Sequence, residues 1–511
     1  MKAAYNSFYS NELPPPPPPR GFPGMKAGLL LAAAILAALT LAACDDFNRP
    51  LKEETGFYLD LTPVSTWAEL EAAAQKPATK IIAVTRSFPA EGPATIPINH
   101  ALTITAMPGV AAEITRQGGF NDSFFDAGTN GRLTLGHPLG GFAALDGGGT
   151  DSNGDGYTDA VTDNDSLVKV SGGVLILRDG AALRNNGKAS VGGIIYGGAV
   201  RVQSGSFEMN GGTISGNTWA IHGGGVYVGS AGRFIMNGGT IGGNKTSPGN
   251  GSGVYVAGGG DFTMKGGTIG GNSGGQGSGV YVYGGDFTMS GGTISGNSNG
   301  YRGGGVGVVS SGSFTMKGGT ISQNSTSDSF SFGGGVFVDG TGSIFTMDGG
   351  TISGNTTGGY GGGVCVSSGG GFTMDRGTIG GNTAAGNGGG VSVYYGTNTS
   401  FDMSGGTISG NTAAGNGGGV HVYNGGFTMD GGTVSGNTAA ASGGGVFVDG
   451  GSFTKAAAPG CIIYGSGEGE NTNTADSGNG HAAYVNDSSK KRNSTAGPDI
   501  GLDSGTDDNW D

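Results

Sequence analysis

The sequence predicts an all-β fold: a single-stranded right-handed parallel β-helix, a solenoid with three short strands per ~27-residue coil and a short N-terminal capping helix. Three observations carry this. Glycine supplies 116 of 511 residues, about 23% against a usual ~7%. That much glycine costs too much backbone entropy for helices, and its lack of a three-residue period excludes collagen. Second, from about residue 205 to 455 one block recurs: Gly-Gly-Gly-Val-x-Val, a glycine turn, Phe-Thr-Met-x, then Gly-Gly-Thr-Ile-Ser-Gly-Asn. Its closing asparagine falls at 217, 244, 272, 297, 324, 355, 382, 411 and 437, at spacings of 25 to 31 residues. Third, apolar residues alternate inside each block, as in Val226 and Val228, Phe262 and Met264, with a lone Ile269 after them. That is the period of a strand, in segments too short for the hairpins of a barrel.

In chain order, residues 1–43 read as an export signal, with Met25 as an alternative start because six prolines (14–19) make a poor leader. Met25-Lys26 opens an uncharged Ala/Leu run that ends in Leu41-Ala42-Ala43-Cys44. These four residues resemble the bacterial lipobox, and the resemblance implies a lipid on Cys44, which would tether the chain to a membrane. Residues 44–56 then form a lipidated linker and 57–165 an N-terminal cap with irregular first coils. There, Thr66-Trp67-Ala68-Glu69 fits a capping box, Trp67, Leu70 and Ala74 share one helical face, and Pro77 stops the helix. Ile81–Thr85, Ala101–Ala106 and Leu133–Leu135 read as strands of the first coils.

The repeat β-helix occupies 166–485. Its valines, phenylalanines, methionines and isoleucines should stack on their own kind from coil to coil, since a single coil cannot bury a core. The repeated asparagine suits a tight turn, and stacked copies should form an amide ladder. Handedness follows from the right-handed preference of parallel crossovers. Residues 486–511 form a polar C-terminal cap or tail. Cys365 and Cys461 lie several repeats apart and should remain unpaired thiols.

The pairing of Gly-Gly-Gly-Val (Gly223–Val226) with Ile-Ser-Gly-Asn (Ile214–Asn217) resembles the repeats of the polymorphic outer-membrane protein family. Here Gly replaces the family's Ala and Ile its Phe, over about half the chain. The resemblance implies a β-helical adhesin on the surface of a diderm bacterium, in its outer membrane. No stretch after residue 455 reads as the ~10-residue alternating strands of the autotransporter barrel, so the lipid on Cys44 is expected to serve as the anchor.

The net charge of −13 becomes −15 once Lys2, Arg20, Lys26 and Glu12 leave with residues 1–43. That argues against nucleic acid as a partner. A host or matrix protein, or a polysaccharide, remains. Asp151, Asn153, Asp155, Tyr157 and Asp159 resemble a calcium loop, with Thr162 where a bidentate acid is usual; either they hold a structural Ca²⁺ or they form a solvated Asp/Gly turn.

Between the paired valines stand Tyr227, Tyr255, Tyr281, Gly307, Phe337, Cys365, Ser392, His421 and Phe447, a variable column that should point outward. Its three tyrosines would make an exposed strip for sugar rings or a partner, or else a plain cross-strand ladder. The alternative function is a polysaccharide lyase or glycoside hydrolase, which needs clustered carboxylates. Register offers Asp261 with Asp286, and Asp348 with Asp375 beside Arg376. His222 and His421 have no Ser or Cys placed to complete a triad. Ser325–Phe332 makes the longest repeat, and a loop there carrying Phe330 and Phe332 would be able to reach a ligand.

Overall fold

A computed structural model describes residues 61–485, apart from 93–94, 118–119, 121, 138–143, 149–164, 189–195, 220–221, 457–459, 466–470 and 477–479. Over the described residues the chain winds into a parallel β-solenoid of about 12 turns. A typical coil runs through Val254–Val256, Asp261–Met264 and Thr268–Gly270, hereafter its first, second and third faces. A two-residue segment, here Ser273–Gly274, follows the asparagine and builds an additional ladder of eleven rungs that the sequence pattern did not suggest.

Register is strict because like residues stack. Val254 pairs with Val280, Phe262 with Phe287, Met264 with Met289 and Ile269 with Ile294, all in parallel. These side chains face the lumen and are buried. Phenylalanines from Phe207 to Phe453 form one continuous stack, with neighbouring centroids such as Phe234–Phe262 at 4.6 Å and 5°. The spacing is that of paired strands, so backbone pairing and ring stacking are satisfied by the same geometry.

Two glycine positions are fixed by conformation. Gly251, first of its triplet position, has φ +66°, and a Cβ there would lie 2.6 Å from the Val254 carbonyl oxygen and 2.9 Å from Tyr255 Cβ. Gly292 has φ +83°, and its missing Cβ leaves room for the Met264 methyl. Both positions favour glycine because left-handed backbone is costly for other residues.

The asparagine ladder forms, and extends further than the motif. Asn186, 217, 244, 272, 297, 324, 355, 382, 411, 437 and 473 are all fully buried. Taking Asn272 as an example, its backbone N–H and its Nδ2 both donate to Asn297 Oδ1 at 3.0 and 2.9 Å, and Nδ2 also donates to the Ile241 carbonyl at 3.0 Å. Each amide thereby satisfies the coils before and after it.

At the N-terminal side a helix spans Trp67–Ala74. Thr66 Oγ1 accepts the Glu69 N–H at 3.2 Å, while the Glu69 carboxylate accepts the Ser65 N–H at 2.7 Å. The helix packs against strands Leu61–Val64, Ile81–Val84, Phe88–Ala90 and Ile96–Ile98. Trp67 meets Phe120 edge-on at 5.4 Å. Cys365 and Cys461 are free and buried.

Candidate functional site

The three outward faces differ in chemistry. The third repeats threonine at 240, 268, 293, 320, 351, 378, 407 and 433 in unbroken register. The second shows threonine at 263, 288, 315, 346 and 373. The first changes from coil to coil and gathers the aromatic residues. Its centre is the variable column, and on one edge His222 bridges to Asn250, while Arg302, Phe332 and Tyr360 follow one another in parallel. On the other edge stand Tyr283, Val309, Asp339, Ser367, Tyr394 and Tyr423.

Two aromatic groups result. In the first, Tyr196 stacks on Tyr227 at 4.5 Å, Tyr227 on Tyr255 at 5.5 Å, and His222 on Tyr255 at 4.5 Å. In the second, Phe332 meets Phe337, Tyr360 and Tyr394 at 5.9, 5.6 and 5.2 Å, and Tyr394 reaches Tyr423 at 5.6 Å. The Arg302 guanidinium lies over Phe337 and Phe332, at 5.2 and 5.8 Å from their ring centres.

The structure corrects the expected tyrosine strip. The column does point away from the lumen, yet Tyr255 and Tyr281 are each only 6% exposed, and Tyr227 is half-buried. The left-handed glycine that opens each triplet folds onto the Cβ of the outward residue, and the flanking aromatics cover its ring. Burial accordingly pushes the Tyr281 phenol up to about 12. The exposed aromatics are others: Tyr283, Tyr301, Phe330 and Tyr395.

Of the carboxylate pairs, Asp261 and Asp286 are register partners, with Asp261 ion-paired to Arg233 at 3.2 Å. Asp348 and Asp375 do not come together as expected. The ladder slips after Met347, so Asp348 pairs with Arg376, which donates to it through Nε at 2.8 Å and through a terminal nitrogen at 2.5 Å. Asp375 instead accepts from the Ser404 hydroxyl at 2.7 Å. Asp151, Asn153, Asp155, Tyr157, Asp159 and Cys44 lie outside the described residues. Among the described residues no group of three or more His, Cys, Asp or Glu is placed to hold a metal.

His222 accepts the Asn250 N–H through Nδ1 at 3.1 Å. His421 is buried between Ser392 and Phe447, and desolvation pulls it down to about 4.

The turn before Gly303 escaped the sequence reading. Asn299 Oδ1 accepts the N–H groups of Tyr301 and Arg302 at 2.8 and 2.9 Å, and its Nδ2 donates to the carbonyls of Arg302 and Gly303, both at 3.1 Å. In the next coil the backbone of Asp328 bonds to Gly300 and that of Phe332 to Tyr301, and residues 329–330 bulge out beside Tyr301 while Ser331 turns inward and is buried. Phe330 is in that bulge. The only sequence signal was the unusual length of this repeat.

A family model described as a right-handed beta helix region matches residues 197–379, about a third of the chain. No curated protein and no solved structure matches.

Proposed function

We infer that this chain is an exported lipoprotein, held by lipid on Cys44 at the outer membrane of a diderm bacterium, that adheres to a host or matrix protein or a glycan through its first face. The observation that carries the reading is the contrast between faces. The third repeats threonine from coil to coil and the second does so over most of its length, while the first changes residue type along much of the solenoid and concentrates aromatic rings, the residues most useful for recognition. The resemblance to polymorphic outer-membrane protein repeats and the Leu-Ala-Ala-Cys motif support the surface location.

The test is to present the full-length protein, in detergent, to immobilised matrix proteins and polysaccharides while assaying for newly released sugar ends. Retention without cleavage is expected, with Asp261→Asn and Asp286→Asn leaving retention unchanged. Released ends that vanish in those variants would replace adhesion with polysaccharide cleavage. Failure to retain any member of the panel would count against the binding role. Intact-mass analysis of the membrane-extracted protein should show an acylated N-terminal cysteine, and Cys44→Ser should abolish membrane retention.

A further inference from the structure

We propose that Tyr301, Arg302 and Phe330 form a subsite for an acidic sugar, one that carries a carboxylate; this deepens the binding role inferred above and rests on it. Tyr301 is 58% exposed and Phe330 71%, on adjacent coils. Large exposed rings are ordinarily mobile, but Tyr301 projects from a turn whose two amide N–H groups and two carbonyls are all tied to the single buried amide of Asn299. A turn held this way presents its ring from an ordered backbone, which lowers the ordering cost of binding to that of the side chain alone.

Arg302 supplies the charge. Its side chain is 37% exposed, and it is held by stacking over Phe332 and Phe337 and by an ion pair with Asp339 that makes no hydrogen bond. The nearest carboxylate contact is Asp339 at 3.6 Å, too long for a hydrogen bond. Asp339 is committed elsewhere, through its other oxygen, to the Ser367 hydroxyl at 2.5 Å. The Arg302 Nε is buried without any partner. Among the described residues the two terminal nitrogens of the guanidinium make no hydrogen bond, so a carboxylate can meet them in competition with the loose Asp339 pair.

A sugar fits this combination better than a protein partner does. The C–H face of a pyranose stacks on one or two exposed rings, its carboxylate meets the guanidinium, and Asp328, whose carboxylate rests against Gly300, can accept from its hydroxyls. A protein partner would need about 800 Å² per side with an apolar centre. The second and third faces of these coils, at Ser313, Thr315, Thr320 and Ser322, offer short polar side chains instead.

The experiment measures binding of the full-length protein, in detergent, to hyaluronan oligosaccharides and to the same oligosaccharides after reduction of their carboxyl groups. The acidic form should bind and the reduced form bind roughly ten-fold or more weakly. Arg302→Gln should weaken the acidic form by roughly ten- to hundred-fold and remove the preference between the two. Arg302→Lys should restore only part of it, because an ammonium lacks the planar fork. Phe330→Ala, at so exposed a position that folding is not at stake, should weaken both forms. Equal binding of the two oligosaccharides, an unchanged Arg302→Gln, or no binding of either would overturn the subsite. If the protein still retains a matrix protein or neutral glycan in those cases, the adhesive reading stands and only the acidic-sugar assignment falls.

Discussion

Replacing Asn297 by alanine tests the amide ladder at its middle. Two groups would lose their partner, the Asn272 backbone N–H and one Asn272 Nδ2–H, now bonded to the Asn297 side chain at 3.0 and 2.9 Å, and the Ile269 carbonyl would lose the second of its donors, now at 3.0 Å. Asn324 Oδ1 would keep the bond from the backbone of residue 297, so it is not counted. The site is fully buried, and orphaned buried polar groups cost ~1–3 kcal/mol each, so two give a destabilisation of about 2–6 kcal/mol. Asn297→Asp, although nearly isosteric, should cost at least as much at neutral pH. Its second oxygen would face the Ile269 carbonyl and Asn324 Oδ1, two acceptors with no proton between them. Because each coil of a solenoid contacts its neighbours alone, the loss should appear locally, as faster hydrogen exchange at the amides of residues 272 and 297, together with a lower urea midpoint. A cost below about 1 kcal/mol with unchanged exchange at those amides would refute the ladder as a stabilising device.

Burial raises the Cys365 thiol, so native protein at about pH 8 should resist iodoacetamide while urea-unfolded protein reacts; native labelling would show that the first face opens. His421 titrates near 4 in the folded chain and near ~6.5 when unfolded, so the unfolded state binds the extra proton. Stability should therefore be full above about pH 6.5 and decline by on the order of 3 kcal/mol as pH falls toward 4, and urea titrations of His421→Phe, a residue the column already holds at 447, should lose that component. Gly251→Ala, forced into a left-handed backbone beside the Val254 carbonyl, should cost ~2 kcal/mol or more, whereas Gly371→Ala, with its nearest neighbour Ser400 Oγ at 3.9 Å, should stay within about 0.5 kcal/mol by urea unfolding.

The interior was legible because it is periodic. Val-x-Val, Phe-x-Met and Ile mark the lumen directly, and nine of the ladder asparagines share one motif. Asn186 and Asn473 were not legible, because they follow Leu183-Arg184-Asn185 and Asn471-Thr472 in coils of 31 and 36 residues, without the run of Ile or Val, Ser or Gly, and Gly or Gln that precedes the others. The exterior was less readable for a different reason. Alternation tells which way a side chain points but not what folds back over it, so Tyr255 and Tyr281 read as surface residues and are covered. Asp348 and Asp375 read as a pair because register was extrapolated past Met347, where the ladder slips by one. Asn299 gave no signal, since its role depends on closing a turn around residues two to four positions later.

A solenoid separates what folds it from what it presents, and removing one whole coil exploits that separation. Deleting residues 325–355 would join Asn324 to Thr356 and bring the next ladder asparagine, Asn382, into the place of Asn355. Val306 would then stack on Val364, Phe314 on Phe372 and Ile321 on Ile379, each a like-for-like replacement of the present partner. The shortened protein should keep its β-sheet circular dichroism and unfold near the parent's urea midpoint, because nearest-neighbour terms are merely reduced by one. It would nevertheless lose Phe330, the Phe332 and Phe337 rings under Arg302, and Asp339. Retention of a ligand by the deleted protein would place binding elsewhere on the rod. A deletion that fails to fold would show that coil 325–355 supplies stability beyond the repeated interior, and that the variable face and the core are not independent.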